Sequence, residues 1–202
     1  MSRFKHIEKK LSLHGYRNIA GLDEAGRGPW AGPVVACAVI IENDIRIRGL
    51  KDSKQLTALQ RMNIYSLVEK RVCFGIGIAI HSEIDSLGLI KATNLAFVRA
   101  VSNLQKRPDL LIIDGRDKFE FDIPYKSFIK GDEHIRSICL ASIIAKVTRD
   151  EIMISYAKIF PQYGFDRHKG YGTKSHAEAL MKYGPCKLHR SSYKPIKKFI
   201  HA

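Results

Sequence analysis

The sequence has no apolar run long enough to cross a bilayer as a helix: the longest, Val34 to Ile41, falls well short of the roughly 20 residues such a span needs. It has no Cys-x-x-Cys pair and no set of histidines and cysteines at zinc spacing. Cys37, Cys73, Cys139 and Cys186 are scattered, mostly among apolar neighbours. That argues against a structural zinc site or a disulfide framework and for reduced core thiols of an intracellular protein. Repeats, low-complexity runs and Pro/Gly/Ser-rich linkers are also missing, which excludes solenoids and strings of domains. A chain of 202 residues can bury its apolar surface in one core, so the expectation is a single domain over 1–202. The basic start, MSRFKHIEKKLSLHGYRN, lacks the apolar centre and cleavage site of a secretory signal, and the expected compartment is the cytoplasm.

Acidic residues are in short supply as well. Lys and Arg number 34 against 20 Asp and Glu, a formal net charge of +14. A polyanionic partner fits this balance, because basic side chains displace condensed counterions from phosphates. A merely basic, well-solvated surface would have the same composition, so charge needs a site to support it.

Apolar runs at Ile19 to Leu22, Val34 to Ile41, Val72 to Ile80 and Leu110 to Ile113 are bounded by Gly, Pro and Asp and have strand length. Thr57 with Gln60 three positions on forms a capping-box pattern that opens a helix to about Lys70. A second helix is expected from Leu87 to Gln105, a short strand at Tyr125 to Ile129, and a long helix from about Ile135 to Ile159 that stops near Pro161. Gly164 to Gly172 reads as a loop feeding a helix from Ser175 to Tyr183. The order predicts an α/β fold, helices packed on a central sheet of mixed strand direction.

Asp23 and Glu24 directly follow one apolar run and Asp114 follows another. Strand ends are where side chains from distant positions converge on a site, although each residue alone also fits a strand that simply ends in water. On the long helix Ser142, Lys146 and Asp150 recur every four residues and share a face; Ile143, Ile144, Val147 and Ile154 are expected to pack on the sheet, with Ala141 and Ala145 letting the polar stripe approach. Were Asp23, Glu24, Asp114 and Asp150 to converge, the all-oxygen cluster would need hard divalent cations such as Mg²⁺ or Mn²⁺ to stay ionised. A pair of such ions is a common device for phosphodiester hydrolysis.

Several blocks then occur in a telling order. GLDEAGRGPWAGPVVACAVI at 21–40, LKDSKQL at 50–56, LLIIDG at 110–115, ICLASIIAKVTRDEIM at 138–153, and HKGYGTKSHAEAL with YGPCKLHR through Arg190 resemble the signature blocks of ribonuclease HII over almost the whole chain. The resemblance implies a ribonuclease H-like fold whose helical C-terminal part, 160–202, helps to hold the duplex. It also implies that Asp23, Glu24, Asp114 and Asp150 bind the catalytic Mg²⁺ or Mn²⁺ ions. Asp132 precedes the long helix and is not counted among these four. Gly26, Arg27 and Gly28 would approach the ribonucleotide's 2′-hydroxyl and the flanking phosphate, glycine allowing close backbone approach. Tyr171 would work with them at the junction, and Lys54, Lys146 and Lys169 are further substrate-binding candidates. Asp52, Ser53, Thr173, His189 and Arg190 are weaker ones.

Two departures stand out: Trp30 sits where smaller apolar residues are common, and 135–140 is bulkier than the usual serine- and alanine-rich helix start. The implied activity is hydrolysis of RNA in RNA–DNA hybrids, including cleavage 5′ of single ribonucleotides in duplex DNA, as in ribonucleotide excision repair, by a monomer. The products carry 3′-hydroxyl and 5′-phosphate ends. The tail KPIKKFIHA is a weak candidate for contact with a replication clamp. The rival readings are a ribonuclease HIII-like hybrid nuclease, against which Gly26-Arg27-Gly28 argues, and a catalytically silent basic nucleic-acid-binding module.

Overall fold

In the computed structural model the residues described are 7–41, 47 and 49–200; the first six residues of the basic start and the last two of the tail lie outside them. Helix α1 (Ile7–Leu13) leads into strands β1 (Ile19–Ala25) and β2 (Val34–Ile40). Helix α2 (Ala58–Val68), strand β3 (Cys73–Ala79) and helices α3 (His81–Leu87) and α4 (Leu89–Ser102) follow. Next come β4 (Leu110–Asp114), β5 (Tyr125–Phe128), the one-turn helix α5 (Gly131–His134) and the 24-residue helix α6 (Arg136–Ile159). Helices α7 (Phe165–His168), α8 (Lys174–Tyr183) and α9 (Lys194–Ile200) end the described chain. Among the described residues no helix is long and apolar enough to cross a membrane.

The five strands lie in the order β3-β2-β1-β4-β5. β2 runs antiparallel to β1 and β3, whereas β1, β4 and β5 are parallel neighbours, giving the mixed α/β sheet that the sequence predicts. α4 covers one face through Ala92, Ala96 and Ala100, packed with Leu22, Ala36 and Ala38. α6 covers the other through Ile143, Ile144, Ala145 and Val147, packed with Cys37 and Val39 and flanked by Ile64 and Val68 of α2. Small residues let both helices approach closely: a Cβ at Gly77 would lie 1.9 Å from the Ala96 carbonyl, and one at Gly21 would lie 2.6 Å from the Ile138 amide. A third cluster joins the C-terminal segment to the end of α6, with Met153, Tyr163, Phe165, Leu180, Leu188 and Ile196 packed against Ala31 and Trp30.

Several expectations need correction. The helix expected from Leu87 to Gln105 is α4, but a further helix not expected, α3, precedes it across Gly88 at φ 78°, and Glu83 accepts the Ile80 amide at 2.9 Å to start α3. The expected loop 164–172 contains the single turn α7, opened by Gly164 at φ 72°. Ile154, expected to pack on the sheet, is 42% exposed and instead lines a cavity with Met62, Arg167 and Tyr171. Strands β1 and β4 also extend past their apolar runs, so Asp23, Glu24 and Asp114 are strand residues.

Both arms of the capping box on α2 are formed, Thr57 Oγ1 accepting the Gln60 amide at 3.2 Å and Gln60 Oε1 accepting the Thr57 amide at 2.9 Å. Replacing Thr57 with Ala should therefore lower unfolding free energy by about 1 kcal/mol. Denaturant titration checks this; an unchanged midpoint would mean that the cap carries no stability.

Candidate active site

Strand register brings the first two carboxylates together. Leu22 of β1 lies opposite Ile113 of β4, so the residues that follow, Asp23 and Asp114, stand side by side on adjacent parallel strands. Asp114 Oδ1 accepts the Gly131 amide at 2.7 Å. That bond is possible because Lys130, at φ 57°, turns the chain sharply off β5. The same turn brings in Asp132, 3% exposed. Ligand oxygens of Asp23, Asp114 and Asp132 all lie within 4.8 Å of one another. Glu24 lines the same cavity of about 300 Å³ with Asp23, Asp114, Gly26, Arg27, Gly28, Ser142 and Tyr171 among others.

Crowding buried carboxylates is electrostatically costly. Burial, then the charges of Glu24 and Asp114, push Asp23 well above the usual carboxylate range. Burial also pushes Glu24 up to about 7, with Arg27 opposing and Asp114 adding to the shift. Burial and Asp132 raise Asp114. Lys54 Nζ lies 3.2 Å from Asp132 Oδ2, but that side chain is 79% exposed and screens the cluster weakly. An all-oxygen donor set of this density suits a hard divalent cation.

Asp150 does not join this group, contrary to the sequence expectation. Its carboxylate is held by Lys146 Nζ at 2.7 Å and faces Arg61 at 3.9 Å; four-residue spacing placed Asp150 on the same helical stripe as Ser142 but two turns further from the strand ends. Lys146 remains at the cavity wall. Lys169 lines an adjoining cavity with Arg61, Lys146, Arg167 and Tyr171, and its ammonium turns back to the Asp166 carbonyl.

Tyr171 lies against the glycine loop. A Cβ at Gly28 would lie 3.7 Å from the Tyr171 ring, and Lys146 Nζ and the Arg149 guanidinium each sit 5.8 Å from the ring centre. Arg27 is engaged by Asp117 at 2.6 Å and Glu24 at 3.5 Å. Two buried arginines lie beneath. Arg190 donates to the carbonyls of Gly26, Arg27 and Gly32, and Arg149 to those of Ala31, Pro33 and Lys169. Arg190 thus orders the loop from inside the protein. Among the weaker candidates, Asp52 caps the turn at Ser53–Gln55, buried Ser53 meets Ser142 Oγ at 2.8 Å, and Thr173 caps α8.

Comparison with known proteins converges on one answer. The family profile described as Ribonuclease HII matches residues 20–196. The chain is 49% identical over 192 residues to Ribonuclease HII of Bacillus licheniformis, covering 95% of this chain and 75% of that one. It is 50% identical over 187 residues to Ribonuclease HII of Acetivibrio thermocellus, covering 92% and 73%. The chain belongs to the ribonuclease HII family. The fold agrees: the ribonuclease H2 crystal structure from Pyrococcus horikoshii OT3 superposes with a TM-score of 0.76 at 26% identity, covering 91% of this chain and 97% of that one. As a ribonuclease HII family member it is an endoribonuclease acting on RNA in RNA–DNA hybrids.

Within this ribonuclease HII chain, sequence reasoning missed Arg149 and Arg61 as residues in or beneath the site and set Asp132 aside, although it named it near the right region. Asp132 sits ahead of α6 in a one-turn helix, and only Lys130's left-handed backbone reveals its direction. Arg149 neighbours Asp150 in a charged stretch that reads as solvated, yet it is fully buried.

Two outcomes follow for this ribonuclease HII site. A Cβ at Gly26, φ 101°, would lie 2.1 Å from Arg149 Nε and 2.6 Å from the Pro33 carbonyl; Gly26→Ala should cost about 2 kcal/mol or more in denaturant unfolding, and no loss would contradict the tight packing of this loop. Glu24, at about 7 folded against 4.5 in the ordinary state, binds protons that the unfolded chain has released. Its stabilising contribution is whole below the ordinary value and is lost as pH rises through the folded one. With chelator present, the unfolding midpoint should fall between about pH 4.5 and about pH 7 and level off above that, and Glu24→Gln should flatten that slope; an equal slope in the variant would rule out this source.

Proposed function

We propose that this chain nicks duplex DNA on the 5′ side of an embedded ribonucleotide, as well as cutting RNA tracts in hybrids, and leaves 3′-hydroxyl and 5′-phosphate ends. The observation that carries this reading is the meeting of Asp23, Asp114 and Asp132 at the cavity that Asp23 and Asp114 line together with Glu24, the Gly26–Gly28 loop and the Tyr171 ring. Asp23, Glu24, Asp114 and Asp132 would hold one or two divalent ions, Mg²⁺ or Mn²⁺, with Asp132 rather than Asp150 as the fourth carboxylate. When bound there, such ions supply an activated water and stabilise the leaving oxygen of phosphodiester hydrolysis.

The chain's own residues orient the substrate. The inner carbonyls of Gly26 and Arg27 are taken by Arg190, which leaves the outer edge of this glycine loop to meet the sugar-phosphate backbone. Tyr171, 41% exposed, offers a ring for stacking and a hydroxyl for the 2′-OH, the one sugar group that tells RNA from DNA. Lys146 and Lys54 line the cavity and add positive charge for phosphates, and Lys169 extends this along the adjoining cavity. Residues 160–202 would form the substrate-binding extension, held on the catalytic core through Trp30 and Ala31. A clamp contact by the tail would have to use Lys197, Lys198 and Ile200, since Ile196 and Phe199 pack in the C-terminal cluster. The chain would act as a cytoplasmic monomer.

The test is cleavage of duplex DNA carrying one ribonucleotide, with and without Mg²⁺ or Mn²⁺. Asp132→Asn should lower kcat/KM by about 100-fold or more, whereas Asp150→Asn should stay within about tenfold of the parent. The reverse ranking would return Asp150 to the ligand set, and a parent that cuts only RNA tracts would remove the junction activity.

A further inference from the structure

Beneath Tyr171 lies a group of buried imidazoles that the reaction itself does not use. His176 is fully buried and His189 is 4% exposed. Their Nε2 atoms are 3.0 Å apart, so one ring donates and the other accepts. The remaining contacts decide which. His189 Nδ1 receives the Cys186 amide proton at 2.9 Å. The Cys186 carbonyl is also within 3.1 Å, but it already accepts the His189 amide at 3.0 Å, and two protons cannot point at one another along the Cys186 N–Nδ1 line. His189 therefore carries its proton on Nε2. His176 Nε2 is the acceptor, and its proton sits on Nδ1, which faces the Tyr171 carbonyl at 2.9 Å.

A second imidazole grips the same loop from the other side. His168 stacks on His176, ring centres 4.5 Å apart and planes 14° apart; its Nδ1 accepts the Gly170 amide at 3.2 Å and its Nε2 faces the Tyr163 carbonyl at 2.7 Å. Trp30, the chain's single tryptophan, closes the arrangement. Its amide donates to the Gly170 carbonyl at 2.8 Å, its indole lies 5.5 Å from the His176 ring, and a Cβ on Gly172 would fall 2.1 Å from it. The substitution noted in the sequence as a departure thus packs directly on the Tyr171 loop.

We propose that His176 and His189 are positioning residues for Tyr171: a neutral pair of fixed tautomers, running from the Cys186 amide through both rings to the Tyr171 carbonyl, sets where the tyrosine stands over the Gly26–Gly28 loop and so sets the preference for a single ribonucleotide over an RNA tract. The functional half rests on the junction reading given above. A rigid ring with a donor on one side and an acceptor on the other is what such a bridge requires, and among side chains only neutral histidine supplies it. Burial holds both rings at about 4, well below neutral pH, so the pair is uncharged where the enzyme works.

The tautomers are measurable on the unmodified protein by nitrogen-15 NMR of labelled histidine at neutral pH: His176 should be protonated at Nδ1 and His189 at Nε2. A His176 protonated at Nε2, or charged, overturns the proposal without touching the nuclease assignment. Two variants test the consequence. The amide nitrogen of Asn overlays the histidine Nδ1 position and that of Gln the Nε2 position, so His176→Asn keeps the donor to Tyr171 and His176→Gln loses it. The ratio of kcat/KM on DNA with one ribonucleotide to that on an RNA tract should stay within about threefold of the parent for Asn and fall about tenfold for Gln, chiefly through KM. Equal ratios in the two variants overturn the positioning role. Trp30 emission reports whether each variant keeps the loop packed; if neither folds, the parent's tautomers still decide. A parent with no junction cleavage at all fails the functional reading instead, visibly so, because the tautomers are then still as assigned.

Discussion

Like-charged carboxylates forced together out of water are the constraint around which this molecule is organised. Nothing in the strand geometry lets them separate: Leu22 opposite Ile113 fixes Asp23 beside Asp114, and the left-handed turn at Lys130 drives Asp132 into the same space. With burial raising Asp23, Glu24 and Asp114, the site is short of positive charge. Divalent cations remedy this locally and the basic surface, net +14, attracts the polyanion that needs them. Site chemistry and surface charge are two consequences of one electrostatic imbalance.

The opposite imbalance lies a few residues away. Arg149 and Arg190 are both fully buried, and among the described residues neither guanidinium hydrogen-bonds a carboxylate; six backbone carbonyls and the Tyr193 hydroxyl take their protons instead. Burial depresses both, Arg149 to about 10. The five loop carbonyls of Gly26, Arg27, Ala31, Gly32 and Pro33, with that of Lys169, turn inward to these cations. The glycine loop and the tyrosine loop become a single preformed surface. Preorganisation of this kind reduces the ordering cost of binding a substrate.

Much of this was legible from residue order. Strand length, the capping box at Thr57, the long helix and the mixed α/β class all follow from local periodicity and caps, because these elements bury the faces their patterns specify. Asp23, Glu24 and Asp114 drew attention because strand ends carry a local signal, whereas Gly26–Gly28 and Tyr171 entered through the resemblance of their blocks to those of the family. The error over Asp150 had a physical origin. Helical spacing reports which residues share a face but not how far along the helix the sheet's strand ends lie, and Lys146 and Arg61 were free to claim the carboxylate. Asp132 and Arg149 depend on tertiary packing, where a charged residue is buried by partners far away in sequence; the His176–His189 pair has its partners within 168–189, but their spacing follows no helical or strand period that would mark them as neighbours.

The central claim is that Asp23, Asp114 and Asp132 together hold the divalent ion. Anomalous diffraction from crystals of the intact chain soaked in Mn²⁺ tests it most directly. The account predicts a manganese peak in contact with those three carboxylates. A peak at Asp150 instead, or no peak among the three at saturating Mn²⁺, would contradict it.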